Sequence, residues 1–205
     1  MAVRFDEVEL PRALVQFPVE VRKPKGFRFE EPATWPKLEG RLEYVDGRLW
    51  FMPPCGDVQQ DVAMDVAYAL RQWVERNQAF VVGGNEAGML LGSEVRGADA
   101  AVWRQADLGA HTGGYRRVPP VVAVEIAGQD EQEADLRSKL TWYLDHGVTL
   151  VWLVLPASRE VVVVRRTGET RHGLRDRIPA ASELPGLNVE VASLFAQLDR
   201  SPAGR

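Results

Sequence analysis

The chain has 205 residues, 45% of them apolar and 26% charged, and a formal net charge of −4. That length suits one domain with a sizeable core, and the acidic balance argues against a protein that lives by nonspecific nucleic-acid binding, although not against an enzyme with a local basic groove. No apolar run reaches the roughly 20 residues a membrane helix needs, and the first residues, Met-Ala-Val-Arg-Phe-Asp-Glu, lack a hydrophobic signal segment, so a cytoplasmic location without a membrane partner is expected.

In chain order, residues 1–31 read as an N-terminal arm, 32–198 as the domain and 199–205 as a flexible tail. Pro11, Pro18, Pro24, Pro32 and Pro36 leave room for at most one short helix in the first 37 residues. Residues 41–52 form the clearest hairpin signal, with Asp46-Gly47 as a tight turn between two β-rich runs. Asp57 is a candidate N-cap for a helix running to about Asn77, whose core face is Val58, Val62, Val66, Ala69, Leu70 and Trp73. Two short strands are expected around Gly83-Gly84-Asn85; the glycines lack the following Gly-Lys-Ser/Thr of a phosphate loop. Arg96 to Trp103 reads as a turn into a strand with Asp99 at its start.

Pro119-Pro120 opens the strand Val121–Ala127, which carries one carboxylate, Glu125, in an otherwise apolar run. A helix is expected over Gln129–His146, with Leu136, Leu140, Tyr143 and Leu144 as its apolar stripe and Gly147 closing it. Residues 148–155 are the most hydrophobic strand, Val161–Arg166 its hairpin partner, Thr170–Ile178 a polar strand, and Val191–Leu198 a last short helix. Helices alternating with hairpins imply an α/β domain with a mixed sheet.

An ionised carboxylate in an apolar strand is costly unless a cation or metal meets it. If the strands of Asp99 and Glu125 are neighbours, their two carboxylates suit a hard divalent ion, which takes oxygen ligands of this kind. Lys139 lies at the margin of the helix's apolar stripe and can reach the sheet; it is the only lysine after Lys37 in a chain with 21 Arg and 4 Lys. Each residue also has an ordinary explanation: a turn residue for Asp99, a solvent-facing strand position for Glu125, a surface pair with Asp135 for Lys139. A Ser or Cys hydrolase finds little support: there is no G-x-S-x-G, the single Cys55 has no evident His partner, and His111, His146 and His172 lack metal-ligand spacing.

The order of these pieces resembles the Uma-two-type restriction endonucleases of the PD-(D/E)XK nuclease superfamily. Leu-Glu-Tyr-Val-Asp-Gly-Arg-Leu at 42–49 is similar to their Y-E-L-I-D-G-E-L hairpin, and Met52-Pro53-Pro54 through Gln60 to the lead-in of their first helix. Arg96-Gly97-Ala98-Asp99 stands where they have R-P-D, and Val124-Glu125-Ile126 where they have V-E-V. Asp135, Lys139, Tyr143 and Gly147 match D-x3-K-x3-Y-x3-G, and Val151–Val154 the W-L-V strand. The resemblance implies a restriction-endonuclease-like mixed sheet flanked by helices, with the N-terminal hairpin. It implies Mg2+, with Mn2+ as a substitute, bound by Asp99, Glu125 and the Ile126 carbonyl, with Lys139 in the catalytic lysine's part and Glu43 as an additional acid. DNA is the implied substrate and a homodimer the implied assembly. The sequence departs from the pattern at Gln59 (the family's histidine), Ala98, Ala127-Gly128-Gln129 and Leu155. The altered loop at Ala127–Gln129, with the acidic charge, favours the alternative of a noncatalytic nucleic-acid-binding or assembly protein on the same fold. Arg116-Arg117, Arg165-Arg166, Arg171, Arg175 and Arg177 are candidate phosphate contacts.

Overall fold

Alternation of apolar residues along the strands decides how the layers stack. The computed structural model describes residues 17–129 and 131–200. Strand β1 (Val19–Val21) is followed by the hairpin β2 (Arg41–Val45) and β3 (Arg48–Met52), helix α1 (Asp57–Arg76), and the long hairpin β4 (Phe80–Leu91) and β5 (Glu94–Arg104). Then come β6 (Val122–Ile126), α2 (Glu133–Asp145), β7 (Leu150–Leu155), the hairpin β8 (Glu160–Arg165) and β9 (Gly168–His172), and the short pair β10 (Arg177–Ile178) and β11 (Val189–Glu190). Nine strands form one sheet in the order β1-β3-β2-β5-β6-β7-β8-β9, with β4 also paired to β5. β6 and β7 run parallel, linked by α2; the other pairs are antiparallel.

Every residue of β6 and β7 is buried, as befits strands covered on both faces. Val122, Val124 and Ile126 face α1, where they pack with Val62, Val66 and Leu70 and with Leu194 and Phe195 from the C-terminal segment. The alternate residue Ala123 faces α2, against Leu140 and Tyr143. That alternation sends Glu125 toward α2. A third cluster of Trp35, Leu49, Leu90 and Val95 ties the N-terminal segment to the first hairpin.

The sheet divides at β5, and the division makes the site. β4 pairs with one edge of β5. The other edge is shared, by β2 at Val95 and by β6 from Ala100 to Val102. Between them the backbone at Gly97 meets side chains instead of a strand. Opposite this gap the β4 register shifts between Gly84 and Ala87, and Glu86 takes φ 58°. A Cβ at Gly97 would lie 3.3 Å from the Glu86 carbonyl oxygen, which explains a glycine there.

Several elements differ from the sequence expectation. Residues 80–91 are one bulged strand rather than two, because the Gly83-Gly84 step is absorbed by pairing along β5. Asp99 lies in the middle of β5, not at its start. The first helix begins at Asp57 with Gly56 as its N-cap, and Val58 is 38% exposed, outside the core face. The second helix starts only at Glu133, where Gln132 and Asp135 form a capping box; Gly128 instead donates its N–H to Glu131. Residues 191–195 close as a 3-10 turn rather than an α-helix. The arm and tail expectations for residues 1–16 and 201–205 fall outside the described residues.

Candidate metal and phosphate site

Arg41 and Glu43, two residues apart on β2, project from the same side of their strand. Asp99 comes from β5, Glu125 and the Ile126 backbone from the C-terminal end of β6, and Lys139 and Tyr143 from adjacent turns of α2. Asp135 is held in the capping box, so it does not compete for Lys139.

Lys139 is the hub. Its Nζ donates to the Gly97 carbonyl at 2.8 Å and lies 2.9 Å from Glu43 Oε1 and 3.0 Å from Glu125 Oε2. An ammonium has three donors, and all three are spent. The Tyr143 hydroxyl donates to Glu125 Oε1 at 2.6 Å, so both oxygens of that carboxylate are engaged. Glu43 Oε1 also accepts from the Gly97 N–H at 3.2 Å. Side chains thereby satisfy the Gly97 backbone in the gap of the sheet.

Asp99 sits beside this hub. Its Oδ2 accepts the Ile126 N–H at 2.7 Å, while Oδ1 faces Arg41 Nη1 at 3.8 Å. Arg41 Nε lies 3.8 Å from Glu43 Oε1, and Nη2 is 3.6 Å from Met52 Sδ. The Ile126 carbonyl accepts from Gln59 Nε2 at 2.9 Å, so the residue replacing the resembled family's histidine reaches the site from α1.

Burial and charge shape the protonation states. Burial pushes the Glu125 carboxyl up to about 7; Lys139 opposes that rise and Asp99 adds to it. Burial would also raise Glu43, but Lys139 and Arg41 outweigh it and hold that carboxyl below its ordinary value. Burial disfavours the Lys139 charge, yet Glu125 and Glu43 hold its pKa above the usual lysine value. Burial, then the charges of Glu125 and Glu43, keep Tyr143 neutral. Glu86 is raised by partial burial and by the nearby charges of Asp99 and Glu43.

A family model described as "Uma2: Putative restriction endonuclease" matches residues 29–193. The chain belongs to the Uma2 family. Among solved structures it is similar to a putative nuclease belonging to DUF820 from Anabaena variabilis, with a TM-score of 0.73 at 18% identity, covering 84% of this chain and 99% of that one. That likeness establishes a shared fold. No curated protein matches the sequence.

The Uma2 fold brings together Glu43, Asp99, Glu125, the Ile126 backbone and Lys139. Among the described residues, no three His, Cys, Asp or Glu side chains are gathered as a metal-holding group. Two carboxylates and a carbonyl nevertheless suit Mg2+, which takes one or two carboxylates and fills its remaining positions with water and phosphate. Asp99 Oδ1, turned away from the backbone bond, is the oxygen best placed for it. The donor chemistry therefore fits a hard divalent ion.

The sequence reading missed Arg41 as a member of this site, although its i, i+2 relation to Glu43 on a strand was available. It also placed Tyr143 in the apolar stripe and in the family's helix motif without assigning it a contact to Glu125. Of the arginine candidates for phosphate binding, Arg165 pairs with Glu183, Arg166 with Asp145, Arg171 with Glu133 and Glu160, Arg177 with Glu190 and Asn188, and Arg116 lies over the Trp103 ring, while Arg117 and Arg175 are exposed. No helix among the described residues is long and apolar enough to cross a membrane.

Proposed function

We propose that this Uma2 protein is a Mg2+-dependent endonuclease that hydrolyses DNA phosphodiester bonds, with Mn2+ as a substitute ion. The reading rests on one observation above all: in a family described as a putative restriction endonuclease, Asp99 and Glu125 come together from neighbouring strands at the end of β6, Asp99 on the Ile126 N–H and Glu125 on a buried lysine. Asp99, Glu125 and the Ile126 carbonyl would hold the ion. When bound, it supplies Lewis acidity toward a phosphoryl oxygen and makes a water more acidic. Lys139 holds Glu43 ionised and orients both the Glu43 and Glu125 carboxylates, because its donors are already occupied. Tyr143 fixes the Glu125 carboxylate from the opposite oxygen. Gln59, which stands where the resembled family has a histidine, orients the Ile126 carbonyl. A homodimer would present two such sites to the two strands of a duplex.

The test is cleavage of plasmid DNA with Mg2+ or Mn2+. Asp99→Ala and Glu125→Ala should each lower the rate at least about a hundredfold while keeping the wild-type circular-dichroism spectrum. Unchanged cleavage by both variants would refute the assignment. A second reading, a noncatalytic nucleic-acid-binding protein, is favoured by the full engagement of Glu125 between Lys139 and Tyr143. It predicts DNA binding without cleavage in either metal.

A further inference from the structure

We infer that Arg41 is the residue that contacts the substrate phosphate at this site, through guanidinium donors that the folded chain leaves unused. The inference rests on the nuclease reading above and names a contact that reading does not assign.

Donor accounting separates the two cations of the site. Lys139 has none to spare: its three N–H groups meet Gly97, Glu43 and Glu125 between 2.8 and 3.0 Å. Arg41 is differently placed. Its Nε is buried without a hydrogen-bond partner among the described residues. Its nearest carboxylate oxygens, on Glu43 and Asp99, stand at 3.8 Å, an ion-pair distance too long for a hydrogen bond. The one hydrogen bond it makes among the described residues is the weak contact from Nη2 to the Met52 sulfur. Leaving a buried charged donor unmet is costly, and the arrangement persists because nearby acids hold the charge in place. Burial works against that charge, but Glu43, Glu125, Asp99 and Glu86 together outweigh it.

The position is right for phosphate. Arg41 Nη1 faces Asp99 Oδ1, the oxygen proposed to hold the metal, so a phosphoryl group drawn to that ion comes within reach of the guanidinium. An Arg fork suits the two oxygens of a phosphodiester, which a lysine meets only as a point charge. Charge also sets the order of events. Glu43, Asp99, Glu125 and Glu86 crowd around Arg41, and this acidic surrounding disfavours an approaching phosphate. A divalent cation offsets that effect. Arg41 therefore engages DNA only with the metal in place.

The experiment measures DNA affinity and Mn2+ affinity separately. Duplex DNA is titrated with full-length wild type, Arg41→Met and Arg41→Lys, in Ca2+ and in EDTA, over a salt series. Calorimetric titration with Mn2+ alone, with Asp99→Asn as the control that loses the ion, reports metal binding. The expected result is that Arg41→Met weakens DNA binding about tenfold in Ca2+ and lowers the salt slope by about one, as loss of one phosphate contact does. Its Mn2+ affinity is retained or increased, because a like charge has been removed. Arg41→Lys restores the salt slope but only part of the affinity, and in EDTA the three proteins bind alike. Equal DNA affinity and slope for wild type and Arg41→Met in Ca2+, with Mn2+ binding intact, overturns the Arg41 contact and leaves the nuclease reading standing. Absence of Mn2+ binding by the wild type overturns both. If Arg41→Met does not fold, Arg41→Lys decides: full wild-type affinity in Ca2+ refutes a forked contact.

Discussion

Lys139 is 7% exposed and stands between two buried carboxylates, so its removal exposes how the site is balanced. Lys139→Met leaves Glu43 and Glu125 buried with like charge and without their common partner. A loss of about 3–5 kcal/mol is expected in urea unfolding, the range for breaking a buried pair. A loss under about 1 kcal/mol would contradict the hub geometry. Glu125 carries a second prediction, read in EDTA. Its folded pKa of about 7 is above its ordinary value of 4.5, so the folded state holds this proton more tightly than the unfolded one. Stability attributable to Glu125 is therefore full below about pH 4.5, falls as pH rises toward 7, and stays lost above it. Glu125→Gln should lack that decline, a difference on the order of 2 kcal/mol between pH 5 and 7.5 in urea titrations. Parallel stability–pH curves for the two proteins would contradict the shift.

At the scale of elements, the periodicities that place Glu125 and Lys139 were legible in the sequence. An apolar run with one acid gave β6, and a 3.6-residue stripe gave α2 with Lys139 at its margin. The split edge of β5 was not legible, because strand pairing is long-range and nothing local in Arg96–Asp99 says which strands flank it. That split turns Gly97 into a backbone acceptor and donor for Lys139 and Glu43. For the same reason Asp99 resembled a turn residue: a mid-strand Asp beside glycine and alanine shows its purpose only when the Ile126 N–H arrives from β6. The helix is the element on which the lysine's placement depends. Leu140, 1% exposed, seats α2 on the sheet next to Lys139. Leu140→Ala should cost about 2–5 kcal/mol by thermal or urea unfolding. Surface Thr141→Ala on the same helix should cost far less, and equal costs would contradict the packing described.

Across the whole molecule, one sheet holds the site by covering its centre on both faces and opening at one point. α1 and the C-terminal segment cover one face, α2 the other, and the acids sit where β2 and β6 part along β5. This is the Uma2 nuclease fold, and the order of motifs along the chain was enough to anticipate it. Arg41 escaped notice because its i, i+2 relation to Glu43 shows only a shared strand face, and proximity to Asp99 in three dimensions gives that face its meaning. The central claim is that this opening binds a divalent cation for phosphodiester hydrolysis. The most direct measurement is anomalous diffraction from a crystal of the protein soaked in Mn2+. The account predicts a manganese peak coordinated by Asp99, Glu125 and the Ile126 carbonyl, with Arg41 beside it. A fully soaked crystal with no peak at Asp99, or with manganese bound only elsewhere, would contradict it.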